Sequence, residues 1–242
     1  MYRKYVPFLL FLFFLYGCNG NKQEEKEDVS VFVDLPQLKA EGEITAVTLY
    51  SSTSYFQYKM QPMGYEYDLI NDFAKSQGLK LNIKVAENPA RLIEMLEAGE
   101  ADVVAYPIPI NNKLKQEVIY CGREDISSQV LIQRANKGDK LLTDVTQLID
   151  KNVYVKPNTK YSERLKNLDE ELGGGIHIQK VENDSIATED LIEMVSLGEI
   201  PYTISDDNTA RLNKTYYWNI NVDLKVSFPQ RSSWVVRKSS PD

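Results

Sequence analysis

Two segments of the chain share one pattern of apolar and polar positions. Residues 92–105 place apolar side chains at helical spacing, followed by a glycine and an apolar run, and residues 191–205 repeat this order. Each segment predicts an amphipathic helix, a turn at Gly99 or Gly198, and a short strand, because glycine readily adopts the left-handed conformation that ends a helix. Neither unit can bury its apolar stripe alone. The repeat predicts two α/β layers, and hence two lobes with a ligand-binding cleft between them. Chance reuse of a common local pattern is the alternative.

The rest of the pattern predicts alternating strands and helices. Apolar periodicity predicts strands at 44–49, 79–85, 128–133, 152–155, around His177, at 224–228 and at 234–237, and helices at 67–77 and 160–172. Thr159 is the expected N-cap of the second of these helices. Strands that alternate with helices of about a dozen residues favour parallel pairing. The predicted fold class is α/β, with two mainly parallel sheets flanked by helices.

The amino-terminal residues predict an export signal. A basic head precedes an apolar run at 5–16, which is shorter than the ~20 residues of a membrane span. The run ends at Gly17 and Cys18, the pattern of a bacterial lipobox. We expect a signal peptide at 1–17, a lipid anchor on Cys18 and a tether over 18–33, since residues 19–28 lack apolar side chains. An ordinary cleaved signal or a short core helix is the alternative.

Composition and absent motifs argue against several classes of function. The formal net charge is −7, and removing Arg3 and Lys4 with the leader changes it to −9, which argues against nucleic acid as a partner. The sequence has no Walker loop, no HExxH and no zinc-like Cys/His spacing, so we expect no cofactor and no metal. His177 is expected on a surface strand, and Cys121 is expected to be a small buried residue without a disulfide partner.

Candidate ligand contacts follow from the strand order, because ligands of open α/β sheets bind beyond the carboxyl ends of strands. The repeat strands would deliver Tyr106 and Asp206, and the helix that starts after Thr159 would favour an anionic group. The predicted ligand-binding residues are Ser54, Tyr55, Tyr58, Glu66, Tyr106, Lys113, Asn158, Thr159, Asp206 and Asp207. Three alternatives stay open: Asp206 as a helix N-cap, Thr159 as a cap alone, and Tyr55 as core.

Three motifs carry a resemblance to a known family. Residues 64–69, 99–104 and 202–206 resemble the periplasmic solute-binding proteins of the polar amino-acid type. Residues 48–65 and the leader are more similar to the amino-terminal module of the membrane-bound lytic transglycosylase F family. The resemblance implies a bilobal clamshell joined by hinge strands, with lobe 1 at 34–128, lobe 2 at 129–228 and a return to lobe 1 at 229–242. The return looks truncated.

The resemblance also implies roles for single residues. In amino-acid-binding members an aspartate takes the ammonium of the ligand, and Asp206 matches that position. The arginine that takes the carboxylate has no counterpart in residues 106–115, where Lys113 is a loose substitute because an ammonium cannot form a bidentate fork. Pro107 and Pro109 lack N–H groups. A peptide or muropeptide therefore fits better than a free amino acid.

Together these observations predict a lipid-anchored, non-catalytic binding module of the cell envelope. We expect it on the outer membrane facing the periplasm, with exposure at the cell surface as the alternative, and with a carboxy-terminal catalytic domain, absent from this sequence, as a further partner. Three rivals remain. These are a substrate-binding lipoprotein of an ABC importer for an amino acid or small polar solute, the amino-terminal part of a lytic transglycosylase enzyme, and a sensor input domain.

Overall fold

The computed structural model describes residues 33–183 and 186–241. Its helices are α1 (Leu35–Glu41), α2 (Tyr65–Gln77), α3 (Pro89–Glu97), α4 (Leu114–Glu117), α5 (Lys160–Glu171), α6 (Thr188–Leu197) and α7 (Asp207–Lys214), with a 3₁₀ turn at Val145–Leu148. Its strands are β1 (Glu43–Leu49), β2 (Phe56–Tyr58), β3 (Gln61–Met63), β4 (Lys80–Ala86), β5 (Val103–Pro109), β6 (Val118–Ser127), β7 (Gln129–Arg134), β8 (Asn152–Val155), β9 (His177–Lys180), β10 (Tyr202–Asp206), β11 (Ile220–Asn221) and β12 (Gln230–Arg237). The predicted signal peptide, the Cys18 anchor and the tether up to residue 32 lie outside the described residues.

Two five-stranded sheets form the framework. The first has the order β4-β1-β5-β12-β6, the second has the order β11-β7-β10-β8-β9, and β2 and β3 form a separate hairpin. We call the sheet containing β5 and its helices lobe 1, and the sheet containing β10 and its helices lobe 2. The two repeat strands therefore lie in different sheets, which confirms the two-layer interpretation of the repeat.

The sheets are mixed, whereas the strand–helix alternation favoured mainly parallel pairing. β1 runs parallel to β4 and β5, and β8 runs parallel to β9 and β10. β12 is antiparallel to β5 and β6, and β7 is antiparallel to β10 and β11. Strands without a helical crossover between them can pair antiparallel. The parallel prediction thus holds for the strands that a helix connects.

Each lobe has its own apolar core. In lobe 1, Val47 and Val104 of the sheet pack with Leu92 and Leu96 of α3. On the opposite face of the same sheet, Ile70 of α2 packs with its neighbours in a second cluster. In lobe 2, the side chains of Leu131, Leu165 and Ile204 are fully buried in one cluster, and Ile132, Leu191 and Ile192 are fully buried in another. Separate cores leave the surface between the lobes available to a ligand.

The repeat helices end as the sequence predicts. Gly99 has φ +72° one residue after the C-cap of α3, and Gly198 is itself the left-handed C-cap of α6 with φ +83°. Thr159 is the N-cap of α5, where its side chain accepts a hydrogen bond from the Ser162 N–H. These local predictions are confirmed because helix ends depend on neighbouring residues.

Some element predictions were wrong. Residues 224–228 form no strand: Lys225 makes a single bridge to Val130, and two further backbone hydrogen bonds join this segment to β7. The sequence pattern also missed several elements, among them the ten-residue strand β6 and the polar helix α7. β6 contains the exposed charged residues Arg123 and Glu124, and its pairing with β12, a strand distant in sequence, stabilises it.

The chain crosses between the sheets twice. It passes from β6 to β7 through Ser128, and it returns into β12 after Pro229. Gln230 at the start of β12 pairs with Ser127 at the end of β6, so the two crossing segments are adjacent. Within the described residues, no helix combines the length and apolar character needed to span a membrane.

Candidate ligand-binding site

A cavity of about 540 Å³ lies between the two lobes. Its walls include side chains from α2 and β12 of lobe 1, from α5 and α7 of lobe 2, and from the crossing strands. Its charged and aromatic lining residues are Tyr65, Glu66, Arg123, Asp125, Lys160, Asp206, Arg231 and Trp234. Its volume falls in the range of small-molecule sites, which are ~300–1,000 Å³.

The lobe 2 wall is centred on Asp206, the last residue of β10. Asp206 occupies the N-cap position of α7, but its side chain makes no capping hydrogen bond. Its Oδ2 instead lies 2.5 Å from the Lys160 Nζ and accepts a hydrogen bond from the Tyr161 hydroxyl at 3.1 Å. The carboxylate therefore faces the cleft and already holds a cation from its own lobe.

The lobe 1 wall contains a carboxyl group with an unusual environment. Trp234 Nε1 donates a hydrogen bond to Glu66 Oε2 at 2.6 Å. Burial raises the pKa of Glu66 above its ordinary value, an effect that the Trp234 hydrogen bond opposes. The charge of Asp125 raises this pKa further, and Arg123 lowers it.

Arg123 supplies a cation from lobe 1. It lies on β6, and its guanidinium donates a hydrogen bond to the Tyr65 hydroxyl at 3.2 Å. The side chain is exposed and lines the cavity. Because Arg123 and Lys160 belong to different lobes, cations border the cavity from both sides, with Glu66 and Asp206 as their acidic neighbours.

A direct contact joins the lobes at the rim of the cleft. Glu189, in the first turn of α6, accepts hydrogen bonds from the Ser52 backbone N–H at 2.9 Å and from the Ser52 hydroxyl at 2.7 Å. Asn208 also approaches Asp125 at 3.5 Å across the cleft. The structure therefore corresponds to a closed arrangement of the lobes.

Three of the predicted ligand-binding residues lie at the cleft. Glu66 and Asp206 line the cavity. Tyr106 lies beside it, next to the lining residue Pro107. Burial raises the pKa of the Tyr106 hydroxyl strongly, and the charges of Asp206, Glu189 and Glu66 add to this effect, so the phenol stays neutral.

The other predicted residues have local roles or lie elsewhere. Ser54 is buried, and Tyr55 packs edge-on between Tyr50 and Tyr67 at centroid distances of 6.4 and 5.8 Å. Thr159 is a helix cap, Asn158 takes a left-handed turn conformation, Asp207 pairs with Arg211, and Tyr58 and Lys113 are exposed. None of these side chains borders the cavity described above, and their roles in binding stay predictions.

The sequence pattern did not single out most of the residues that line the cavity. Among them are Tyr65, Arg123, Asp125, Lys160, Arg231 and Trp234. Arg123 and Asp125 belong to the unpredicted strand β6, and Trp234 comes from the last strand of the chain. For Lys160 a signal existed, since it directly follows the Thr159 cap at the start of a helix that was predicted to face the ligand. Among the described residues, no group of three acidic, histidine or cysteine side chains is placed to hold a metal ion.

The chain is similar in sequence to several known proteins. Residues 44–242 match the family model of the bacterial extracellular solute-binding proteins, family 3. A membrane-bound lytic murein transglycosylase F from Desulfosudis oleivorans is 32% identical over 206 residues, covering 84% of this chain and 43% of that protein. Its counterpart from Pseudomonas fluorescens is 28% identical over 204 residues, covering 84% of this chain and 41% of that protein. The chain thus spans less than half the length of these relatives.

Solved structures show the same fold. The arginine-bound form of truncated ArgBP from T. maritima superposes with a TM-score of 0.70 at 20% identity, covering 84% of this chain and 92% of that chain. An ancestral arginine-binding protein bound to glutamine superposes with a TM-score of 0.67 at 19% identity, covering 81% and 84% of the two chains. This likeness confirms the predicted bilobal α/β fold class.

Proposed function

The chain belongs to family 3 of the bacterial extracellular solute-binding proteins, and from this premise we propose that it binds a peptidoglycan-derived peptide or muropeptide between its lobes. It would act in the cell envelope as the non-catalytic, regulatory part of a lytic transglycosylase F-like protein. The lipid anchor at Cys18 and an outer-membrane location facing the periplasm belong to this proposal.

One observation carries the proposal. The cleft presents cations and carboxylates from both lobes, with Arg123 and Glu66 on one side and Lys160 and Asp206 on the other. Stem peptides of peptidoglycan carry several carboxylates and an ammonium group along one short chain. A ligand with charges of both signs can engage both lobes, and charge pairing in a partly desolvated cleft supplies specificity.

The relatives support the assignment to peptidoglycan. They are named as murein transglycosylases, and the matched part covers less than half of each protein. A ligand that prefers the closed lobes would shift the population toward that arrangement, and a domain attached to the module would sense the shift. The regulatory role depends on this differential affinity.

Calorimetry can test the proposal. Muramyl tripeptide and a set of free amino acids would be titrated into the purified protein and into Arg123→Ala. We expect muramyl tripeptide to bind, and Arg123→Ala to weaken binding at least ~10-fold, because a hydrogen bond to a charged group contributes about 1.5–3 kcal/mol. Lys166→Ala, an exposed lysine of α5 paired loosely with Glu170 at 4.0 Å, is the matched control.

The same titration distinguishes the proposed function from that of an importer receptor. Binding of one free amino acid without muramyl tripeptide would favour an importer receptor. Binding of the tripeptide with equal affinity to the wild type and Arg123→Ala would remove Arg123 from the site. Absence of binding by every probe would contradict the proposed function.

A further inference from the structure

Asp206 and Lys160 form an ion pair inside the cleft. The Nζ–Oδ2 distance is 2.5 Å, and about one fifth of each side chain is exposed. The Tyr161 hydroxyl donates to the same oxygen, and Tyr161 is itself buried. The carboxylate thus has a cationic and a neutral donor before any ligand arrives.

Lys160 pairs with Asp206 from a position in its helix that is unfavourable for a cation, and its ammonium group also lies over the Tyr161 ring at 5.5 Å. Lys160 is the first residue of α5, directly after the Thr159 cap. The amino-terminal end of a helix carries a partial positive charge, so a lysine there is locally unfavourable. Pairing with Asp206, a residue distant in sequence, offsets that repulsion and orients the ammonium group toward the cavity, which Lys160 lines.

The pair changes what the cleft can accept. A ligand ammonium that reached Asp206 would have to share the carboxylate with Lys160, and two positive charges at that range repel each other. Displacing Lys160 would leave its charge in a partly buried site without its partner, which is costly. A ligand carboxylate meets no such obstacle, because an ammonium has three donors and Asp206 accepts from one of them.

We propose that Lys160 is a built-in counter-ion of Asp206 that keeps a free amino-terminal ammonium away from this carboxylate and selects peptides whose amino terminus is acylated. This inference rests on the proposed function and names the ligand class of that same site. Lys160 takes the place of a ligand cation at Asp206, and its free donors bind an anionic group of the ligand. Pro107 and Pro109 on the facing wall offer no backbone N–H donors. In this proposal, cationic side chains therefore hold the carboxylate of the ligand.

Two probes that differ by one acetyl group test the proposal. The tripeptide L-alanyl-γ-D-glutamyl-L-alanine, in which alanine replaces diaminopimelate so that the amino terminus is its sole ammonium group, would be titrated with a free or an acetylated amino terminus. We expect the purified protein to bind the acetylated form at least ~10-fold more tightly. Lys160→Met should invert this preference, since Asp206 is then free to take the ammonium, and Lys160→Arg should preserve it.

Control variants distinguish the role of Lys160 from ligand binding by the cleft as a whole. Lys166→Met, on the same helix, should keep the wild-type preference, and thermal melting shows whether each variant is folded. The double variant Lys160→Met/Asp206→Asn should lose the gain for the free amine, because the acceptor charge is gone. Equal binding of both probes by the wild type, or an unchanged preference in folded Lys160→Met, would overturn the role of Lys160 alone. Failure of both probes to bind any protein would overturn the proposed function itself.

Discussion

Glu66 shows how the environment of one side chain sets its chemistry. Burial beside Asp125 raises its pKa above 4.5, while Trp234 and Arg123 oppose the shift. Folding therefore favours the protonated carboxyl. This contribution to stability is complete below the ordinary pKa and is lost as the pH rises through the raised folded-state pKa.

Glu66→Gln should therefore alter the pH dependence of stability. The amide cannot ionise, so the free energy of unfolding of the variant relative to the wild type should be larger at pH 7 than at pH 4.5. Urea unfolding at the two pH values measures this difference. Because the variant and the wild type are compared at the same pH, the contributions of the other titrating groups cancel. An equal difference in the free energy of unfolding at both pH values would contradict the prediction.

Arg237 is a buried structural cation of lobe 1. Its guanidinium pairs with Asp102 at 3.3 Å and donates to the carbonyl oxygens of Leu96 and Ala101. Asp102 also accepts from the Thr45 N–H at 2.8 Å, so the pair connects β1, α3 and β12 with the segment that precedes β5.

Arg237→Met should destabilise the protein by about 3–5 kcal/mol, because the partly buried Asp102 loses its cation and the carbonyl oxygens of Leu96 and Ala101 lose a donor. Chemical denaturation measures the loss. Arg91→Met is the matched control, since Arg91 pairs with Glu94 and Glu100 at the surface and should contribute below about 1 kcal/mol. Similar losses of unfolding free energy in both variants would show that the buried Arg237 contributes no more than the surface Arg91.

Cys121, which the sequence predicted to be buried, is only partly buried on β6. Burial raises its pKa to about 11. The thiolate is the reacting species, so alkylation of Cys121 by iodoacetamide at pH 7.5 should be at least ~100-fold slower in the folded protein than in urea. Mass spectrometry of a tryptic peptide over time reads this rate, and equal rates would show an accessible thiolate.

At the scale of elements, the start of α2 depends on a close backbone approach. Gly64, the N-cap of α2, has φ +136°, and a Cβ there would lie 2.3 Å from the Ser54 carbonyl oxygen. Ser54 in turn accepts from the Tyr67 N–H, so the loop after β1 is packed onto the first turn of the helix. This contact positions Tyr65 and Glu66 at the cleft.

Gly64→Ala should cost about 3 kcal/mol or more, because both the backbone conformation and the contact with Ser54 become strained. Gly42→Ala is the control. Gly42 also has a positive φ, but its Cβ would meet no atom within 4 Å, so the expected cost is about 1 kcal/mol. Thermal or urea unfolding ranks the two, and an equal loss would show that the Ser54 contact is unimportant.

Elements differed in how far the sequence predicted them. The helix–glycine–strand units were predictable because amphipathic spacing and a left-handed glycine are local properties. β6 and α7 were not, because β6 depends on pairing with β12, and α7 has a polar surface with few buried positions, such as Ala210 and Asn213. Residues 224–228 show the opposite error, because a strand was predicted there and none formed. The segment makes only one bridge and two backbone hydrogen bonds to β7.

At the scale of the whole molecule, Glu189 connects the lobes. Both hydrogen bonds from Ser52 end on the same carboxylate oxygen. Closure of the lobes therefore receives a contribution from the protein itself, in addition to any bound ligand.

Glu189→Ala should raise the open-to-closed ratio about 5-fold, for a loss near 1 kcal/mol at an exposed contact. Small-angle scattering without ligand should give a larger radius of gyration for this variant than for the wild type. Glu170→Ala, an exposed glutamate of α5 away from the cleft, is the control. An unchanged radius in Glu189→Ala would show that the contact does not hold the lobes together.

The sequence by itself determined much of the local secondary structure of this protein. Both helix–glycine–strand units, the Thr159 cap and the acidic residue that ends β10 follow from spacing and from conformational preferences that act over a few residues. The tertiary structure decided which side chains share the cleft. Arg123 and Trp234 lie on the lobe 1 side near Glu66 because β6 and β12, which are far apart in sequence, pair in one sheet. Lys160 meets Asp206 in the other lobe, and the local pattern carries no sign of a charge pair between residues so far apart in sequence.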